Sequence, residues 1–215
     1  MEIENKSAGR RNFIKKSSLL AMGSGALLTV PLNGHAQMTS SQDDLNIVGP
    51  KEGFSPHIGT LVSMMNWMRF VILRPVQGMS VKDLDYLVDD NANSIGAMLW
   101  HLASTERFYQ IHTFEGRNWG DGDKVDKDNW AVAMRLGDTA RKMIKGNPLD
   151  FYLEKLETVR ENTLKEFTNR DDDWLMAVDN EWPWGPTNNY CKWFHVCEHE
   201  SNHNGQFKFI KSRIA

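Results

Sequence analysis

Three histidines recur at intervals of four in Trp193-Phe194-His195-Val196-Cys197-Glu198-His199-Glu200-Ser201-Asn202-His203-Asn204-Gly205-Gln206. On a helix, residues four apart share a face with about 6 Å of rise between them, so two imidazoles at that spacing converge on one ion. His195 and His203 are eight residues apart, roughly 12 Å along the axis, and do not readily share one. The chelating pair is therefore His195/His199 or His199/His203, and His199 belongs to both. A third ligand has to come from another helix. His101 sits among core-type residues in Met98-Leu99-Trp100-His101-Leu102, where a buried imidazole needs a partner. His112 lies eleven residues further on, about 16 Å by helix rise, and is not expected at the same site. Each feature has a plainer alternative. A lone buried histidine is ordinarily a hydrogen-bonded core residue, an H-x3-H pair also arises on solvated faces, and Glu198 and Glu200 would suit such a face.

The elements that must position these residues are helical. Ile58, Leu61, Val62, Met65, Met68 and Ile72 recur at three- and four-residue spacing from Ser55, until Pro75 and Gly78 end the run. Ser80 and Asp83 make a short capped turn. Asn93-Ser94 precede Ile95, Met98, Leu99, Leu102 and Tyr109, a second amphipathic helix that stops by Gly116. Residues 118–128 read as a Gly/Asp-rich loop and 129–145 as an irregular or exposed helix ended by Gly146-Asn147-Pro148. Leu149, Leu153, Leu156, Leu164 and Phe167 define a third bundle helix. Residues 171–186 are a long connection carrying Trp174, Trp182 and Trp184, and a fourth helix is expected from about Thr187 to Arg213. No period-2 alternation of any length appears. The fold class is all-α, most simply a four-helix bundle.

The body of the chain is acidic. Removing residues 1–36, with five basic side chains and two acidic ones, takes the formal net charge from −3 to −6. Without a Lys/Arg stripe to neutralise phosphates, nucleic acid is excluded as a partner. Cys191 and Cys197 are six apart on an expected helix, about 9 Å of rise, too far for a disulfide; both are expected to be free and buried.

Gly9-Arg10-Arg11-Asn12-Phe13-Ile14-Lys15, a weakly apolar stretch from Ser17 to Leu32, and Gly34-His35-Ala36 together resemble a twin-arginine export signal. Residues 1–36 are thus expected to be removed, 37–52 to form a flexible leader and 53–215 the bundle. The resemblance implies export by the twin-arginine machinery, already folded, to a periplasmic or otherwise external location. Ser17, Ser18, Gly23, Ser24, Gly25 and Pro31 interrupt the stretch too often for a stable membrane span.

Two further segments carry a family likeness. Ala92-Asn93-Ser94-Ile95-Gly96-Ala97-Met98-Leu99-Trp100-His101-Leu102-Ala103, with Glu106 beyond it, resembles the second-helix signature of the DinB/YfiT-like superfamily. His199-Glu200-Ser201-Asn202-His203-Asn204-Gly205-Gln206 resembles its fourth-helix signature, departing at Asn202 and Asn204. The likeness covers about Gly53 to Arg213, with both motifs in the family's order. It implies a four-helix bundle of up-down-down-up topology, frequently a homodimer, holding a divalent metal through one histidine of the second helix and an H-x3-H pair of the fourth. Carried onto this chain, the ligands are His101, His199 and His203 rather than His195. Glu200 and Gln206 are candidates to support them.

Three neutral imidazoles leave at least one coordination position open, as in a reactive centre rather than a closed structural one. Zinc, nickel and iron all accept this donor set. The resemblance implies a small-molecule substrate, such as a thiol, and a thiol S-transferase, isomerase or hydrolase reaction. The alternative is a non-catalytic metal- or ligand-binding bundle. Trp100, Trp182, Trp184 and His57 are the expected lining of any pocket reaching the open position.

Overall fold

The computed structural model describes residues 44–214, so the expected signal segment 1–36 and the start of the leader lie outside the described residues. In chain order the elements are α1 (Pro56–Leu73), α2 (Val81–Leu84), α3 (Ile95–Thr113), α4 (Lys124–Arg135) and α5 (Gly137–Met143). There follow α6 (Leu149–Phe167), α7 (Asp172–Met176), β1 (Val178–Asp179), β2 (Thr187–Asn188) and α8 (Asn189–Lys211). The all-α expectation holds. Helix α3 is the hub: it packs on α6, α8 and α4, while α1 lies along α8. No described helix is long and apolar enough to cross a membrane.

Local chemistry explains where the long helices begin. Ser94 Oγ accepts from Ala97 N–H at the start of α3 (3.2 Å), and Asn188 Oδ1 accepts from Cys191 N–H at the start of α8 (2.8 Å). These caps satisfy N–H groups that have no partner within the helix. The start of α1 has no cap from its own N-cap side chain. Instead Asp172 of α7 reaches it, accepting from Ser55 Oγ–H (2.6 Å) and from the backbone N–H groups of His57 (3.0 Å) and Ile58 (3.3 Å). The last part of the expected leader packs on α1, with Gly49 N–H donating to Ser63 Oγ (3.1 Å). Gly59 permits that approach, because a Cβ there would stand 2.4 Å from Lys51 N. Likewise Gly96 lets the Tyr152 ring lie against α3; a Cβ would meet that ring at 2.8 Å.

Four expectations need correction. The 118–128 segment is not all loop, because Asp123 caps α4 by accepting from Asp126 N–H (2.9 Å) and the helix starts at Lys124. Residues 129–145 are not one helix. Leu136 (φ 52°, ψ −150°) and Gly137 (φ 69°) break the run into α4 and α5; the Leu136 conformation is one that L residues seldom adopt. The 171–186 connection holds α7 and β1, and β1 pairs antiparallel with β2 (Val178 with Asn188, Asp179 with Thr187). That pairing holds Thr187 and Asn188 extended, so α8 begins at Asn189. Both cysteines are free as expected, but Cys191 is exposed and only Cys197 is buried.

The core divides into two apolar clusters, one including Leu99, Leu102, Tyr152, Leu156 and Phe207, the other Met65, Tyr109, Phe167, Trp193 and Cys197. Beside them lies a charged layer to which each long helix contributes one residue: half-buried Arg69 (α1) and buried Glu106 (α3), Arg160 (α6) and Glu200 (α8). Glu106 accepts from Arg160 Nε (2.8 Å), Arg69 Nη2 (3.0 Å) and Thr163 Oγ–H (2.7 Å). Glu200 Oε1 accepts from Arg69 (2.7 and 2.9 Å) and Arg160 (3.2 Å). Two cations meet two anions, so the layer is neutral. Burial alone would raise the Glu106 pKa, but the Arg160 and Arg69 guanidiniums hold it below the usual carboxylate value.

Candidate metal centre

His101 lies on the second turn of α3, His199 and His203 one turn apart on α8, and the contact between the two helices brings the three imidazoles together. His101 Nε2 is 2.8 Å from His199 Nε2, and His203 Nε2 is 3.1 Å from that same atom. His101 and His203 are buried, while His199 is half-buried.

The outer ring nitrogens decide what the inner ones offer. His101 Nδ1 lies 3.0 Å from the Ala133 carbonyl near the C-terminal end of α4, an oxygen that also accepts from the Leu136 N–H (3.3 Å). A carbonyl only accepts, so Nδ1 carries the hydrogen and Nε2 presents a lone pair. His203 Nδ1 faces Met98 Sδ at 3.3 Å, a weak acceptor, which likewise places the hydrogen on Nδ1 and a lone pair on Nε2. Two lone pairs thus converge on His199 Nε2, which has at most one hydrogen to share between them. A cation suits this donor set better than a proton does. The residues fit a metal, and among the described residues they are the group of three or more His, Cys, Asp or Glu side chains whose ligand atoms all lie within 4.8 Å of one another.

Protons are poor competitors for the site. Burial, and then the charges that His203 and His101 would carry, push the His199 pKa down to about 3. Burial and His101 push His203 down to about 4, against a smaller opposing effect of the Gln206 side chain. Burial also lowers His101, against its hydrogen bond to Ala133. All three are neutral at pH 7, the form that binds metal.

Residues 60–215 match the family model described as Mycothiol-S-transferase. The chain belongs to the mycothiol-S-transferase family. That family is DinB-like, so the superfamily read from the two motifs stands. No curated protein matches the chain.

Around the histidine cluster of this mycothiol-S-transferase family member, the other expected residues fall in different places. His195, the rival for the chelating pair, packs against His199 with ring centroids 5.1 Å apart. Its Nδ1 is 2.8 Å from the Tyr109 hydroxyl. His112 lies elsewhere, near the Arg117 carbonyl (3.0 Å), Asp179 (3.1 Å) and Lys192 (3.1 Å). Glu200 lies in the charged layer, and no hydrogen bond joins it to the three imidazoles. Gln206 is exposed, donates to Asn202 Oδ1 (3.0 Å) and flanks His203.

Of the expected lining, Trp184 stands beside His195 with ring centroids 5.2 Å apart, and Trp182 packs on Tyr109 and Trp184. The other two need correction. Trp100 is turned to α6, with Phe151 at 5.2 Å and the Lys155 ammonium 4.2 Å from its ring. Consecutive helical residues point about 100° apart, so Trp100 and His101 serve different neighbours. His57 is exposed at the start of α1, where Asp172 binds its backbone. Burial, and then Glu200, push the Cys197 thiol up to about 12, so it is held as the thiol rather than the thiolate.

Sequence reasoning missed Ala133, Met98 and Tyr109. A backbone carbonyl leaves no trace in residue identity, and Met98 and Tyr109 read as ordinary core positions. Arg160 carried a signal that went unused, a charged residue on the apolar seam of α6 among Leu156, Val159 and Thr163.

Proposed function

We propose that the chain is a metal-dependent thiol S-transferase in which His101, His199 and His203 hold a divalent ion through their Nε2 atoms. The observation that supports this most strongly is the convergence of three Nε2 atoms at 2.8 and 3.1 Å, two of them fixed as lone pairs, in a chain whose family is named for mycothiol transfer. The nucleophilic substrate is a low-molecular-weight thiol of the mycothiol kind. Zinc, nickel and iron all suit three imidazoles. A bound ion of this type lowers the pKa of a thiol or water on its open side, supplying a nucleophile near neutral pH.

The protein supplies the rest. Ala133 and Met98 orient two ligands before any ion arrives, and the apolar surroundings keep the imidazoles unprotonated. The half-buried face of His199 leaves a way in. The arginine pair at the N-terminus makes export part of this reading: a twin-arginine substrate crosses folded, so the ion is acquired in the cytoplasm and travels with the protein. Water in place of the thiol would make the same centre a hydrolase.

The test is metal content by elemental mass spectrometry, wild type beside His101→Ala, followed by consumption of mycothiol with a chromogenic electrophile. The expected result is about one equivalent of metal in the wild type, little in the variant, and thiol consumption by the loaded wild type alone. Loaded protein that cleaves the electrophile without consuming thiol would replace transfer by hydrolysis. Failure to take up metal, even after reloading trials, would defeat both.

A further inference from the structure

Outside the three proposed ligands, the side chain best placed to act at the centre is His195. It sits one turn before His199 on α8, is 29% exposed, and lies between Tyr109 on one side and Trp184 on another. Tyr109 is 1% exposed. Its ring is boxed by Trp119, Trp182 and Trp193 at 4.7, 6.1 and 6.0 Å, and its hydroxyl meets His195 Nδ1 at 2.8 Å.

The direction of that hydrogen bond follows from counting hydrogens. Were Nδ1 the donor, the phenol hydrogen would be left buried without an acceptor, a costly arrangement. With the phenol donating, both groups are satisfied, Nδ1 is the acceptor, and the ring hydrogen resides on Nε2. Glu198 Oε2 is 3.7 Å from that nitrogen, beyond hydrogen-bond reach. The His195 N–H thus has the Glu198 carboxylate within ion-pair range but makes no hydrogen bond to it, and the ring lies beside His199, the half-buried member of the cluster. Trp184, its ring at 75° to the imidazole, supplies an apolar wall next to it.

Building on the metal reading above, we propose that His195 positions the second substrate, the electrophile. Its Nε2–H donates to a carbonyl or carboxylate oxygen of a small planar molecule lying against Trp184. Tyr109 is a positioning residue that acts through His195 by holding its tautomer. The site thus favours electrophiles that carry an sp2 oxygen near the reacting atom.

Benzoate is a suitable probe, titrated into Co(II)-loaded protein and followed by the visible cobalt spectrum and by tryptophan fluorescence. His195→Phe and Tyr109→Phe are expected to hold the same equivalent of cobalt as wild type. His195→Phe should bind benzoate about tenfold more weakly, the scale of one hydrogen bond to a charged acceptor, with a smaller loss in Tyr109→Phe. His195→Gln, whose amide N–H reaches the same place, should recover most of the affinity. Unchanged benzoate binding in His195→Phe, equal weakening in the Phe and Gln variants, or no benzoate binding by loaded wild type would overturn the assignment. Cobalt lost from His195→Phe would also overturn it, by making His195 a ligand. Wild type that takes up no cobalt would instead defeat the metal reading on which the assignment rests.

Discussion

At the scale of single residues, the consequential feature is that three imidazoles are held neutral and close together. His199 and His203, with pKa values near 3 and 4, bind protons far less readily than imidazoles in an unfolded chain, at about 6.5. As pH falls below 6.5 the unfolded state takes up protons first, so the stability of metal-free protein declines through that window until the folded histidines titrate near 4 and 3. Denaturant melts of metal-free protein between pH 7 and 4 are expected to show this decline, and His199→Ala/His203→Ala should flatten it. A slope as steep in the double variant as in wild type would mean that other groups set the acid sensitivity. For metal retention, His199→Ala and His203→Ala should each strip the ion, whereas His195→Ala should leave most of it. Stoichiometry measured on the three purified variants decides this, and loss confined to His195→Ala would reverse the ligand assignment.

At the scale of elements, the site depends on how the ends of helices are used. The C-terminal end of α4 offers the Ala133 carbonyl to His101, and α7 lends Asp172 to the start of α1. The second arrangement is easily probed. Burial of Asp172 would raise its pKa, but hydrogen bonds from Ser55 and from the His57 and Ile58 backbone lower it on balance. Replacing a cap of this kind by alanine typically costs about 1 kcal/mol. Asp172→Ala is thus expected to lower the melting temperature by roughly 2–4 °C while leaving metal content unchanged, since the carboxylate bonds to Ser55, His57 and Ile58 at the start of α1 and not to the three clustered imidazoles. A variant that melted normally would show that water satisfies the start of α1 as well as the carboxylate does.

At the scale of the whole molecule, Arg69, Glu106, Arg160 and Glu200 tie the four long helices together. Removing one partner from a buried ion-paired group leaves its counter-charge stranded and costs about 3–5 kcal/mol. Glu106→Ala, which leaves Arg69 and Arg160 sharing the single carboxylate of Glu200, should therefore lower the melting temperature by roughly 10 °C, with metal binding weakened only as far as α8 loosens. A calorimetric scan checks it, and a shift of under 2 °C would show that the layer relaxes or hydrates. The all-α class, the starts of α1, α3 and α6, and the candidacy of His101, His199 and His203 are all legible in the chain itself, because periodicity, caps and i,i+4 spacing are local properties. Spacing alone left His195 and His203 equal partners for His199. Only tertiary structure brought α3 against α8 and made the inner nitrogens of His101 and His203 converge on that of His199. The same packing placed His195 against a phenol, sent Trp100 to α6 and gave His101 a carbonyl from α4. Those outcomes depend on which groups distant in sequence become neighbours, and no local pattern along the chain encodes that.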